Sequence, residues 1–139
     1  MALFGRKSQA RPVLDPITVR PATAEDAATI VRLAHGLSQT DGGRASRLTE
    51  ETCRRDGFGA EPAFRVLLAE IDGMVAGYAL YFSGYDTDRS SRGVYLADLY
   101  VDADYRRYGV GRALMKAVAR ACSDLGGEWM FWSVHKRNR

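Results

Sequence analysis

One segment constrains the fold of this chain more than any other, because two apolar runs flank a strongly periodic helix. From Val110 to Leu125, apolar residues recur at helical spacing on one face, and charged residues occupy the opposite face at i+4 steps. The runs Val94–Val101 and Trp129–Val134 have the composition of strands, and the second is apolar on both faces, as is typical of a central strand. A strand, a helix and a strand in this order predict a crossover between parallel strands.

The residues before this segment predict a strand, two helices and an antiparallel meander. Asp72-Gly73 separates two strand-like runs and is a strong hairpin signal. The polar stretch Ser83–Gly93 is predicted to be a loop. The other predicted elements are a strand at Ile17–Arg20, helices that begin after Thr23 and after Thr49 (the second ending at Asp56-Gly57), and strands at Phe64–Ile71 and Met74–Phe82. The predicted order is β-α-α-β-β-β-α-β, which indicates an α/β fold with a mixed sheet.

Length and composition predict one domain of ordinary globular type. The chain has 139 residues, of which 46% are hydrophobic and 27% charged, so one core is expected over residues 17–139. Residues 1–16 contain Pro12 and Pro16 without periodicity and are predicted to form a flexible arm. No apolar run is long enough to span a membrane, and the first residues lack the apolar stretch of a secretory signal. Cys53 and Cys122 lack metal-ligand spacing, so reduced thiols, no metal and a cytoplasmic location are predicted.

The positive charge of the chain is concentrated in its last quarter. Eight basic and three acidic residues fall between Asp104 and Arg139, which gives this segment a net charge of +5 against +3 for the whole chain. Such a segment is compatible with nucleic acid, with a phosphorylated cofactor or with a solvated surface. Composition does not choose among these three.

The turn before the periodic helix has the features of a phosphate site. The first N–H groups of a helix lack internal partners, and its N-terminus carries about half a positive charge. Gly109 and Gly111 lack side chains that would block a ligand, so a pyrophosphate cradle is predicted. Positive charge comes from three nearby arginines: Arg106, Arg107 and Arg112. A dinucleotide fingerprint would need a third glycine at Leu114, and a Walker loop would need Gly-Lys-Ser/Thr; both are absent. An ordinary glycine turn remains the alternative.

These residues also resemble a known family. Arg106-x-x-Gly109-x-Gly111, after a strand that ends in Leu99-Tyr-Val, is similar to the acetyl-CoA motif of the GNAT superfamily of N-acetyltransferases. The likeness extends from Ile17-Thr-Val-Arg-Pro-Ala to Asn138. Four further segments resemble the diamine (spermidine/spermine) acetyltransferase branch: Leu48-Thr-Glu, Asp56-Gly-Phe-Gly, Val75-Ala-Gly-Tyr-Ala-Leu-Tyr-Phe and Tyr95-Leu-Ala-Asp-Leu-Tyr-Val.

The resemblance implies a GNAT-like fold and direct transfer of acetyl from acetyl-CoA to a primary amine in a ternary complex, with a small di- or polyamine as a candidate acceptor. It implies that the pantetheine arm enters between the strands Tyr95–Val101 and Trp129–Val134. The backbone N–H of Leu99 would then polarise the thioester carbonyl. The implied cofactor-binding residues are Leu99, Tyr100, Val101, Arg106, Arg107, Tyr108, Gly109, Val110, Gly111, Arg112 and Asn138.

Proton transfer is where the chain departs from the diamine branch. Ala97 stands where that branch has a glutamate, and the adjacent Asp98 is the candidate base. Neighbouring strand residues point to opposite faces unless a bulge intervenes, so a structural role for Asp98 is the alternative. The hairpin tyrosines, Tyr78 among them, are interpreted as packing residues. His35 is also interpreted as a surface or packing residue, and His135 as a less favoured site candidate.

The resemblance also covers less than the family's whole domain. Family members continue past the last strand with a helix and further strands, and that helix carries a tyrosine with no counterpart up to Arg139. The domain is therefore expected to be incomplete at its C-terminus, with an exposed sheet edge that favours a homodimer or other self-association. Two alternatives to an enzyme remain: an acyl-CoA-binding module with little activity, and, ranked last, a nucleic-acid binder.

Overall fold

The computed structural model describes residues 16–133, and the order of its elements is the predicted one. Of the predicted flexible arm, only Pro16 belongs to the described residues. Short 3-10 turns at Ala24–Asp26 and Ala103–Tyr105 precede two of the helices. The strands and helices are β1 (Thr18–Pro21), α1 (Ala27–Thr40), α2 (Glu50–Phe58), β2 (Arg65–Ile71), β3 (Met74–Asp86), β4 (Ser91–Val101), α3 (Val110–Asp124) and β5 (Gly127–Trp132).

The strands form one mixed sheet in the order β1-β2-β3-β4-β5. The first four strands pair antiparallel, whereas β4 and β5 pair parallel and are joined by α3. The predicted crossover and the α/β fold class are therefore confirmed. No helix among the described residues combines the length and the apolar character that crossing a bilayer requires.

Helices cover both faces of the sheet. The apolar stripe of α3 is buried on one face at Val110, Leu114, Val118 and Cys122, as its periodicity predicted, but Leu125 is 43% exposed because the helix ends before it. On the other face, α1 and α2 enclose a second cluster that includes Cys53. The two cysteines thus lie in clusters on opposite faces, and both are free thiols.

Three predicted boundaries were wrong. The stretch Ser83–Gly93 is mostly strand, because pairing between β3 and β4 continues past the apolar runs to Asp86 and Ser91. Helix α2 continues past Asp56-Gly57 to Phe58. Finally, β5 begins at Gly127 and, within the described residues, forms an edge of the sheet rather than a central strand.

An ion-pair network connects the 3-10 turn before α1 to the edge strand β1 and its neighbour β2. Arg20 on β1 donates hydrogen bonds of 2.9 Å to both carboxylate oxygens of Asp26 and one of 2.9 Å to Glu70 on β2. The hydrogen bonds from Arg20 hold the pKa of Asp26 below its ordinary value. A depressed carboxyl pKa adds stability above the unfolded-state pKa, and that stability is lost as the pH falls through the folded-state pKa.

Asp26→Asn is therefore expected to lower the free energy of unfolding at pH 7 by about 1 kcal/mol, since it removes a partly exposed ion pair. The variant should also lose less stability than the wild type when the pH falls below about 4. Urea unfolding at pH 7 and at pH 3 measures both effects, with Asp88→Asn in the exposed β3–β4 turn as the control. An acid-induced loss of equal size in Asp26→Asn and wild type would contradict this assignment.

Candidate active site

The predicted cofactor loop connects the end of β4 to the start of α3. Its conformation depends on two residues with left-handed backbone, Arg107 with φ +72° and Gly109 with φ +88°. Glycine adopts such a φ without steric cost, so Gly109 suits its place as the N-cap of α3. Arg106 closes the loop onto the strand, since its Nε donates a 3.0 Å hydrogen bond to the carbonyl oxygen of Val101 and its guanidinium lies 5.7 Å from the ring centroid of Tyr100.

The N-terminus of α3 is open to a ligand. The first intrahelical hydrogen bond runs from the N–H of Ala113 to the carbonyl oxygen of Gly109 at 3.0 Å, which leaves the N–H groups of the three preceding residues without a helical partner. In the described part of the chain, this end of the helix has no side-chain cap hydrogen bond, because its N-cap residue is Gly109. A Cβ at Gly111 would meet only Val101 Cγ2, at 3.9 Å, among the described residues, so the space above this glycine is free. Val110 is buried and anchors the turn. The arrangement fits a phosphate-bearing ligand.

A gap in the sheet lies beside this helix end. Strand β4 pairs with β5 only as far as Leu96, and in residues 16–133 no strand pairs with β4 on that side beyond this point. The N–H of Asp102 points away from the gap and toward β3, since it donates a 2.8 Å hydrogen bond to the carbonyl oxygen of Ala76. Since N–H directions alternate along a strand, those of Leu99 and Val101 point into the gap. The gap therefore presents backbone groups that an extended ligand can pair with.

A β-bulge lies at the centre of β4. Leu80 pairs with Asp98, but the next residue, Tyr81, pairs with Leu96, so that Ala97 is an extra residue in β4. A bulge of this kind shifts the alternation of side chains along the strand. Asp98 thereby comes to the α1–α2 face of the sheet, where its cross-strand partner Leu80 also packs.

The bulge brings Asp98 to a fully buried tyrosine. The Tyr78 hydroxyl donates a 2.7 Å hydrogen bond to Asp98 Oδ2, and Tyr78 is 0% exposed. Burial raises the pKa of Asp98, and the negative charge of Asp41 after the end of α1 raises it further, whereas the bond from Tyr78 lowers it in part. Burial and the Asp98 charge raise the pKa of Tyr78 well above its usual range. The pair is thus a protonated tyrosine donating to a carboxylate of raised proton affinity, which suits a base.

The structure brings most of the predicted site residues together at the end of β4 and the start of α3. They include Leu99 and Val101 at the gap and Arg106, Gly109 and Gly111 at the helix end. Arg107 and Arg112 lie in the same turn with exposed side chains. Asn138 and His135 lie outside the described residues. Among the described residues, no cluster of three or more His, Cys, Asp or Glu is arranged to hold a metal.

Three features of the site were not predicted from the sequence: the Tyr78 hydroxyl, the bulge and Asp41. Tyr78 did carry a signal, because a buried tyrosine in an apolar strand usually needs a hydrogen-bond partner. The bulge had no such signal in the sequence, because the side chain of Ala97 does not distinguish a bulge from a regular strand position. Asp41 follows a helix C-terminus in a polar loop, and nothing in its spacing relates it to Asp98.

Comparisons with known proteins identify the family and the fold of the chain. Residues 32–139 match the model of the Acetyltransferase (GNAT) family. The thialysine N-epsilon-acetyltransferase of Bos taurus is 34% identical over 119 residues, which cover 79% of this chain and 69% of that protein. The spermidine/spermine N(1)-acetyltransferase-like protein 1 of Homo sapiens is 31% identical over 115 residues, covering 77% of this chain and 16% of that protein. The crystal structure of an aminoglycoside acetyltransferase from an uncultured soil metagenomic sample has the same fold, with a TM-score of 0.73 at 18% identity, covering 88% of this chain and 80% of that one.

Proposed function

The chain belongs to the GNAT family of acetyltransferases, and on that premise we propose that it transfers acetyl from acetyl-CoA to a primary amine of a small di- or polyamine, by direct attack in a ternary complex. The observation that carries the proposal is the adjacency of three elements at the end of β4. These are a helix N-terminus without a side-chain cap from its N-cap residue, a gap with inward-pointing N–H groups, and the half-buried Asp98 carboxylate on the same strand.

The N-terminus of α3 binds the pyrophosphate in this proposal. The N–H groups of Val110, Gly111 and Arg112 donate to the phosphate oxygens, and the helix dipole favours the negative charge. Arg106 and Arg107 add positive charge from the turn. The support is the open space at Gly111 and the absence of a side-chain cap at Gly109.

The backbone of β4 binds the extended arm of acetyl-CoA and activates its thioester. The N–H groups of Leu99 and Val101 donate into the gap, and that of Leu99 stabilises the negative charge that develops on the thioester oxygen. This role needs backbone groups only. It is therefore compatible with many side chains at position 99.

Asp98 accepts the proton that the ammonium form of the amine must lose. The neutral amine then attacks the thioester carbonyl, a C–N bond forms and the C–S bond breaks. A second proton leaves the nitrogen and the thiolate takes up one, so that the products are the N-acetyl amine, the CoA thiol and one proton released to solvent. No tyrosine is assigned to protonating the thiolate.

The acceptor class follows from the charge around Asp98. The negative charge of Asp41 raises the pKa of Asp98, and the C-terminus of α1 adds partial negative charge, so the negative charge of the Asp98 carboxylate is reinforced on this side of the site. A di- or polyamine carries a second ammonium group that such a site attracts. The names of the relatives, which act on thialysine or on spermidine and spermine, support an amine of this class.

Release of free thiol from acetyl-CoA, measured with a panel of amines, tests the proposal. Diamines, polyamines and thialysine are expected to give turnover above that of monoamines of equal length.

The alternative is an acyl-CoA-binding module with little activity, which Ala97 favours. Calorimetric binding of acetyl-CoA without thiol release for any amine would support the module and contradict the enzyme. We retain a cytoplasmic location as a prediction.

We also infer that the chain associates with itself through β5. This strand is a sheet edge among the described residues, and its aromatic side chains are exposed, with Phe131 at 58% and Trp132 at 45%. Tyr95 on β4 contacts Phe131 edge to face and extends the aromatic surface. Sedimentation over a hundredfold concentration range, about 1 to 100 μM, is expected to show a dimer or larger species at the upper end. A monomer at every concentration would contradict self-association.

A further inference from the structure

We propose that Tyr78 is a positioning residue of the acetyltransferase site: its buried hydroxyl holds one oxygen of the Asp98 carboxylate and leaves the other as the proton acceptor for the amine. The inference rests on the proposed function, in which Asp98 is the base. It assigns to Tyr78 a role beyond the packing that its strand position alone indicates.

The geometry makes Tyr78 a directional partner. Its ring is 0% exposed on β3, so the hydroxyl cannot turn to solvent, and its single proton is donated to Asp98 Oδ2 at 2.7 Å. Asp98 is only partly exposed, and its other oxygen, Oδ1, accepts no hydrogen bond from any residue between 16 and 133. The two carboxylate oxygens therefore differ, one fixed by the protein and one available to a substrate.

The backbone explains why this pair exists. Tyr78 is paired with Tyr100 across the ladder and Asp98 with Leu80, so Tyr78 and Asp98 are diagonal neighbours on one face. They share that face only because the bulge at Ala97 shifts the alternation of β4. Without the bulge, the Asp98 side chain would be directed to the α3 side of the sheet.

The groups that act on the pair come from the end of α1 and from β4. Asp41 after α1 places negative charge near both Tyr78 and Asp98, and Tyr100 on β4 acts on Tyr78. Of these groups, the Tyr78 hydroxyl is the one that lowers the pKa of Asp98, whereas Asp41 raises it. Tyr78 therefore keeps Asp98 ionised at lower pH than burial and Asp41 would allow.

The test is Tyr78→Phe, which keeps the ring and removes the hydroxyl. Loss of a hydrogen bond to the charged form is expected to raise the pKa of Asp98 by about one to two units. Titration of the Asp98 carboxyl carbon by ¹³C NMR measures that shift without any requirement for activity. The rising acid limb of the kcat profile should move to higher pH by the same amount, because the base must be deprotonated.

Tyr81→Phe is the matched control. Tyr81 lies on the same strand and is also buried, but it faces the α3 side, and no hydrogen bond of its hydroxyl is seen among the described residues. It should change neither the carboxyl titration nor the pH profile. Thermal unfolding of both variants establishes that each is folded.

The outcomes separate the inference from the proposed function. An Asp98 titration that is unchanged in Tyr78→Phe overturns the inference, whether or not the wild type acetylates amines. A shifted titration with an unshifted kcat profile overturns it also, because Tyr78 then does not act on the reaction through Asp98. A further expected result is that Tyr78→Phe has no additional effect on kcat in an Asp98→Asn background, since both changes act on one group. Absence of thiol release by the wild type contradicts the proposed function and leaves the titration to decide the coupling of Tyr78 to Asp98.

Discussion

Gly111→Val is expected to raise the dissociation constant for acetyl-CoA by about 100-fold, while the protein stays folded. The valine side chain would occupy the open space above the first turn of α3, where Val101 Cγ2, at 3.9 Å, is the one contact of a Cβ within residues 16–133. It would separate the phosphate oxygens from at least two N–H donors, each worth about 1.5–3 kcal/mol when the partner is charged. The loss of affinity is therefore expected to come from a steric conflict with the ligand, while the fold stays unchanged.

Calorimetric titration with acetyl-CoA measures this effect. Gly43→Val is the matched control, because Gly43 also has open space around its Cβ position but lies in the loop after α1, far along the chain from the phosphate turn. The control should bind acetyl-CoA as the wild type does. Unchanged affinity in Gly111→Val would show that the pyrophosphate does not bind at this helix end.

Asp98→Asn is expected to lower kcat by about 10²–10⁴-fold, the usual contribution of general acid–base catalysis, with little change in acetyl-CoA affinity. The amide is nearly the same size and still accepts the hydrogen bond from Tyr78 at its carbonyl oxygen, so the packing of the site is retained. It cannot take up a proton from the ammonium group. Initial rates of thiol release at saturating acetyl-CoA, from pH 5 to pH 10, measure the effect.

The matched control for that variant is Asp72→Asn. Asp72 is an exposed turn residue with φ +53°, a backbone conformation that aspartate and asparagine both tolerate, so the same chemical change should leave kcat unaltered. Should Asp98→Asn retain the wild-type kcat and pH profile, Asp98 would be a structural acid, and proton transfer would have to use another group.

Local sequence patterns predicted the elements that lie close together along the chain. The periodicity from Val110 onward indicated both the helix and its buried face, and the glycine turn before it indicated an open helix N-terminus; the structure has both. The order of strands and helices followed from the same kind of signal. These features depend on residues within a few positions of one another, which a single sequence displays directly.

The features that depend on pairing across the sheet were harder to predict. Asp98 could be identified as a candidate base, but its side of the sheet depends on a register shift between β3 and β4 that neither strand displays alone. Its hydrogen bond to Tyr78 and its proximity to Asp41 depend on that register too. The extent of β3 and β4 was underestimated because polar residues and glycines can occupy the paired ends of strands, where the apolar alternation is lost.

A product balance with thialysine or a diamine as the acceptor tests the proposed acetyl transfer most directly. Free thiol and N-acetyl amine are counted in the same reaction, by thiol titration and by mass spectrometry, for the wild type and for Gly111→Val and Asp98→Asn. Direct transfer predicts equal amounts of the two products with no acetylated enzyme, and a large loss of both in each variant. Thiol release without an acetylated amine, or no thiol release with any amine, would contradict the assignment of this site as an amine N-acetyltransferase centre.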